Sequence, residues 1–165
     1  MKRVEMVSEA VNDFAAANPA EGMRILRYCL GACRVHHLCQ TSPAASIRED
    51  VINPVTHALR NSLTKLLGCA VTENLWEQAS LPSPEGLGLQ DPADSAEAAR
   101  LASLVNIGEL LASLGVSQES YEAEVDAALL AYAERWNFQV DLPSPDRDLQ
   151  KSLTARVRQH RRDCC

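Results

Sequence analysis

Aromatic side chains are scarce in this chain of 165 residues: two Trp, three Tyr and two Phe. That scarcity argues against a ring-stacked core and against a base-stacking platform for single-stranded nucleic acid. Seven Gly and eight Pro are too few for a collagen-like or low-complexity chain. No run of 18 apolar residues occurs, so no membrane-spanning helix is expected. The opening segment has Lys2 and Arg3 but no apolar stretch behind them, so no secretory leader is expected. Catalytic signatures are missing as well. There is no G-x-S-x-G elbow and no GK[ST] cradle, and Gly86-Leu87-Gly88 stands without a third glycine. No Asp-Asp dipeptide is present to supply the paired metal-binding carboxylates of a polymerase.

Hydrophobic residues make up 46% of the chain, enough for a core. With so few rings, that core must come from Leu, Ala, Val and Ile, a mix that favours helix over sheet. Charge is unevenly spread around a formal total of −6. Between residues 85 and 134, Arg100 is the one base among ten acids, whereas residues 135–165 hold seven bases and four acids. Such an acidic whole does not resemble a dedicated nucleic-acid binder. Six cysteines without a leader, two of them adjacent at 164 and 165, read as free thiols of an intracellular protein.

Turn and cap signals cut the chain into helices. Asn18-Pro19 with Glu21, and the pairs Ser42-Pro43, Asp91-Pro92 and Ser144-Pro145, combine an N-cap with a proline at the first helical position. Thr72 can cap a short helix over residues 72–81, and Gly68 and Gly115 close apolar runs. Apolar stripes at spacings of three and four fall within 18–41, 42–68, 91–115 and 117–137. The third stripe is interrupted by Arg100, and Pro54 should kink or split the second near Asn53. A narrow stripe of Leu149, Leu153 and Val157 marks a last, charged helix. The expected fold is all-α, an irregular bundle of about five to seven helices with a Pro/Gly-rich loop at residues 81–90. Its expected division is a bundle over 1–139, followed by a linker and basic helix over 140–165.

Two clusters could carry chemistry. Cys29, Cys33, His36 and His37 share one helix arc and include good zinc ligand types. The second ligand pair of a structural zinc site is absent, and free Cys packs as a small hydrophobe, so this arc reads as a thiol-lined core face without metal. Arg24, Arg27 and Arg34 lie opposite, sharing a face with Gly31, and could track phosphates along a nucleic-acid backbone. The tail adds Lys151, Arg156, Arg158, Arg161 and Arg162. Glu49-Asp50 and Asp146-x-Asp148 sit near helix starts, where carboxylates favour the macrodipole and need no catalytic role.

Four segments, in order, carry a resemblance: LRYCLGACRVHHLCQTSP (26–43), IREDV (47–51), LLGCAVTENLWEQASLPSPEGLGLQ (66–90) and AEAARLASL (96–104), with DLQKSL (148–153) after them. Together they resemble the region just downstream of the reverse-transcriptase domain in polyproteins of non-LTR, LINE-like retrotransposons. There a LRxCxxxCRxxHLxRTxP helix precedes an LLG…WxQAxLP segment, a GGLGLRSA turn and a HAxAAYLAS helix. This chain departs from the pattern at Gln40, Glu85, Gln90, Ser95 and Arg100. The resemblance implies a non-catalytic helical segment without cofactor, whose parent polyprotein is an RNA-directed DNA polymerase with its active site elsewhere. It implies contact of Arg24, Arg27 and Arg34 with nucleic-acid backbone or the polymerase body. The alternative expectation is a free-standing intracellular helical domain that binds another protein, not a membrane.

Overall fold

The computed structural model describes residues 6, 9–13, 18–30, 35–81, 85–139, 141 and 144–164. Among them every regular element is helical and no strand occurs, as the Leu/Ala-rich, ring-poor composition predicts. Eight α-helices follow in order: α1 Pro19–Ile25, α2 His36–Thr41, α3 Ala44–Ile47, α4 Asn53–Leu67, α5 Glu73–Ser80, α6 Pro92–Ser113, α7 Gln118–Trp136 and α8 Leu149–Cys164. Two π turns, Leu26–Leu30 after α1 and Arg48–Ile52 before α4, break what would otherwise be longer helices. The second has a clear cause. Pro54 offers no N–H to a carbonyl four residues back, and Asn53 N–H reaches Arg48 O, five back, instead.

Capping follows the punctuation of the chain. Asn18 accepts from Glu21 N–H at 3.4 Å, Thr72 from Leu75 N–H at 3.3 Å and Ser117 from Ser120 N–H at 3.2 Å. Gly68, at φ +67°, closes α4 in the left-handed conformation that glycine adopts without strain. Ser144-Pro145 departs from expectation. Residues 144–146 are not helical, and α8 starts only at Leu149. Asn106 holds Asp146 by two bonds, Asn106 Nδ2 to Asp146 O and Asp146 N to Asn106 Oδ1, both 3.0 Å. Those bonds tie the backbone of Asp146 to α6 instead of releasing it into a helical turn.

The chain divides into two compact units. Among the described residues, the first comprises those up to His37, together with those of Ile47–Ala93. Leu26, Ile52, Val55, Leu59, Leu63, Trp76, Ala79 and Leu89 are its buried apolar core. Burying each large side chain contributes roughly 1.5–3 kcal/mol.

The second unit comprises Leu38–Ser46 and Asp94–Cys164. Its core joins Ala98, Leu101, Ala102, Leu104 and Val105 of α6, Val125, Ala128, Tyr132 and Trp136 of α7, and Leu149, Leu153 and Val157 of α8. Tyr132 donates to Leu153 O at 2.9 Å. Gly108 lies against Tyr121, whose hydroxyl a Cβ at that position would meet at 2.5 Å. The expected boundary between 139 and 140 therefore falls inside a unit, because the stripe on α8 is core material for α6 and α7. α6 also differs from its predicted single stripe. From Ala96 to Val105 nearly every side chain is buried, so its first half has no polar face to show a period.

Burial sets a pH limit on the second unit. Desolvation, then the charge of Glu97, pushes the Cys39 thiol from 9.0 to about 11. Desolvation pushes Tyr132 from 10.0 to about 12. Both groups are neutral in the folded chain over ranges where the unfolded chain ionises. Stability is therefore fully present below pH 9 and falls as pH rises from 9 towards 12. Urea midpoints at pH 8, 10 and 11 are expected to decline in that order, and Cys39→Ala should flatten the first part of the decline. Equal midpoints would refute the assignment.

Candidate functional site

In the first unit the first and third motif segments meet. Arg27, in the π turn after α1, donates from Nε to Leu87 O at 2.7 Å, and its Nη2 reaches the same carbonyl. Next to that carbonyl, Gly88 has φ +66°, and a Cβ there would lie 3.2 Å from the Arg27 guanidinium. A side chain there would be strained on the first count and crowded on the second. Gly88 N–H donates to Leu81 O at 2.8 Å and Leu89 N–H to Ala79 O at 3.1 Å. A Cβ on Gly86 would run into the carbonyls of Gln78 and Leu81. The glycine turn is thus folded back on the end of α5 and held there by an arginine from α1's extension.

Asp91 is the second tie. Its buried carboxylate accepts from Trp76 Nε1 at 3.0 Å, from Thr56 Oγ1 at 2.6 Å and from Ala93 N–H at 2.9 Å. One side chain therefore connects α4, α5 and the first turn of α6. Arg60 lies over the Trp76 ring at 4.9 Å and grips Glu73 in a bidentate pair at 2.6 and 2.7 Å. Read as a sequence, Asp91 is only the cap before Pro92. The need of a buried Trp76 N–H for an acceptor was the signal that pointed further.

The predicted arginine face is not assembled among the described residues. Arg24 is exposed and pairs with Glu21 at 3.0 Å. Arg27 is turned inward, because the Leu87 carbonyl in the turn needs a donor and a guanidinium supplies two. Arg34 and Gly31 lie outside the described residues, as does Cys33 of the Cys/His arc. In the remainder of that arc, Cys29 and His36 are half-buried and His37 is exposed. The π turn at Leu26–Leu30 adds a residue to one helical turn. Among the described residues, no three His, Cys, Asp or Glu side chains are grouped to hold a metal ion.

Two of the departures from the retrotransposon pattern meet in the second unit. Arg100 donates to the carbonyl of Gln40 at 3.3 Å and to Glu124 at 3.0 Å. A charged residue that looked like a flaw in the α6 stripe is therefore bound at the last turn of α2, where helix carbonyls lack partners. A further ion pair closes the same unit: Arg161 holds Asp94 at 2.8 and 2.9 Å and lies over the Trp136 ring at 5.4 Å. Arg135 lies 5.5 Å from that ring, and the buried Trp136 Nε1 has no acceptor among the described residues. No protein-family model, no curated protein and no solved structure matches this chain.

Proposed function

We propose that the chain is a non-catalytic helical segment of the type that follows the reverse-transcriptase domain in retrotransposon polyproteins. Its work is to present a folded surface to the polymerase body or to nucleic-acid backbone. The observation that carries this reading is the convergence of the motif residues. Arg27 of the first pattern segment bonds Leu87 of the third, and within the third the Gly88 and Leu89 amides fold back on Leu81 and Ala79, all in one unit. Residues used in this way act in folding rather than in bond making, which suits a scaffold beside an active site.

Nucleic-acid contact through α1 then falls to Arg24, since Arg27 is bound inside the unit. Titration of an RNA–DNA heteroduplex at several salt concentrations tests this. Arg24→Ala is expected to lower the slope of log affinity against log salt by about one. An unchanged slope would clear Arg24. The reading as a whole predicts a polymerase frame with paired aspartates 5′ of this coding sequence, and an unrelated gene there would count against it.

One observation favours a second reading, a protein-binding domain. At the end of α6, Leu110, Leu114 and Val116 are 58%, 70% and 40% exposed. Exposed apolar neighbours of this kind mark contact surfaces. Leu114→Ser would leave the fold intact and abolish capture of such a partner.

A further inference from the structure

The outward face of α7 carries two features that its own unit does not use. Ala123, Ala127, Leu130 and Ala131 recur there at i, i+4, i+7 and i+8, all exposed, with Leu130 58% exposed. Glu119, Asp126 and Glu134 flank this strip. Among the described residues, none of these three carboxylates makes a hydrogen bond or ion pair. By contrast Glu124 is paired with Arg100, and Glu122 accepts from Gln118.

The outward face of α8, in the same unit, has the opposite sign. Lys151, Arg158 and Arg162 stand at i, i+7 and i+11 around the exposed Ala155. Among the described residues Arg158 makes no hydrogen bond or ion pair, and Lys151 only approaches Asp148, at 3.8 Å between two exposed side chains. Both helices are packed through their other faces, where Tyr132 meets Leu153.

We propose that the acidic Ala/Leu face of α7 docks onto the basic face of α8 in a second copy of this chain. Charge complementarity selects that occupant, since both halves of the contact are present on one molecule. Register supports it. Glu119 and Asp126 are seven residues apart, as are Lys151 and Arg158, which is about 10.5 Å along each axis. Two ion pairs can therefore form at once. The alanines of both faces let the axes approach to about 8 Å, with Leu130 filling the seam between them. The formal charge of −6 repels two copies at long range. At about 0.15 M salt that repulsion is screened beyond roughly 8 Å, while contact pairs persist.

Sedimentation equilibrium of the full chain in about 0.15 M salt, up to about 100 µM, tests the proposal. The chain is expected to self-associate. Glu119→Lys with Asp126→Lys should weaken association roughly tenfold or more, and Lys151→Glu with Arg158→Glu should do the same. Mixing the two double variants should restore it, because reversed α7 then meets reversed α8. Far-UV circular dichroism separates a lost contact from a lost fold. Should a reversal variant not fold, Leu130→Ser takes its place, with weakened association expected. A chain that stays monomeric throughout overturns the proposal. So does association that neither reversal weakens, or a mixture that fails to recover it. Saturable binding of a labelled cationic amphipathic peptide to a monomeric chain would assign the α7 face to a foreign partner instead, and so overturn the self-contact.

Discussion

Asp91→Ala is expected to destabilise the first unit by about 3–5 kcal/mol, the cost of removing the acceptor from several buried donors. Three donors depend on this carboxylate: the Trp76 indole, the Thr56 hydroxyl and the Ala93 amide. With alanine in its place the indole N–H stays buried without a partner, and α6 loses its cap. Urea denaturation gives the readout as a drop in midpoint at unchanged slope. Trp76→Phe provides the contrast. It removes one donor, keeps most of the ring and leaves Asp91 two partners, so a smaller loss of about 1–3 kcal/mol is expected. If Asp91→Ala costs less than Trp76→Phe, Asp91 is not the tie described here.

Arg161→Ala is expected to cost the second unit a similar amount, about 3–5 kcal/mol. The Asp94 side chain is only 10% exposed and would lose both of its guanidinium contacts. Trp136 would also lose the cation over one side of its ring. The double variant Asp94→Asn with Arg161→Met removes the charge together with its partner and should regain part of the loss. Arg135→Ala, which removes an exposed cation near the same ring, should cost about 1 kcal/mol or less. If the double variant is as damaging as the single one, loss of the charge pair between Asp94 and Arg161 is not the cause.

The local parts of this structure could be read from neighbouring residues. Caps at Asn18, Thr72 and Ser117 and the stop at Gly68 depend on partners three or four positions away. The stripes at Val125, Ala128, Tyr132 and Trp136, and at Leu149, Leu153 and Val157, obey one helical period and are buried as expected. The parts set by distant partners could not be read. Arg27 is turned by a carbonyl 60 positions later. Residues 144–146 are kept out of helix by Asn106, 40 positions earlier. The buried half of α6 shows no period because nearly all of its sides are covered. Arg100 interrupts its stripe because its partners, Gln40 and Glu124, are 60 and 24 positions away. The candidate site was visible in sequence only as a pattern; which of its arginines points outward was not.

The chain's two tryptophans are divided between the units, Trp76 in the first and Trp136 in the second. Each sits at the junction of its own unit, one bonded to a carboxylate and the other flanked by guanidinium groups. Nature has thereby installed one ultraviolet emitter per half. Silencing either indole leaves a polypeptide whose intrinsic fluorescence follows the melting of a single half, so their cooperativity is open to measurement without any added dye.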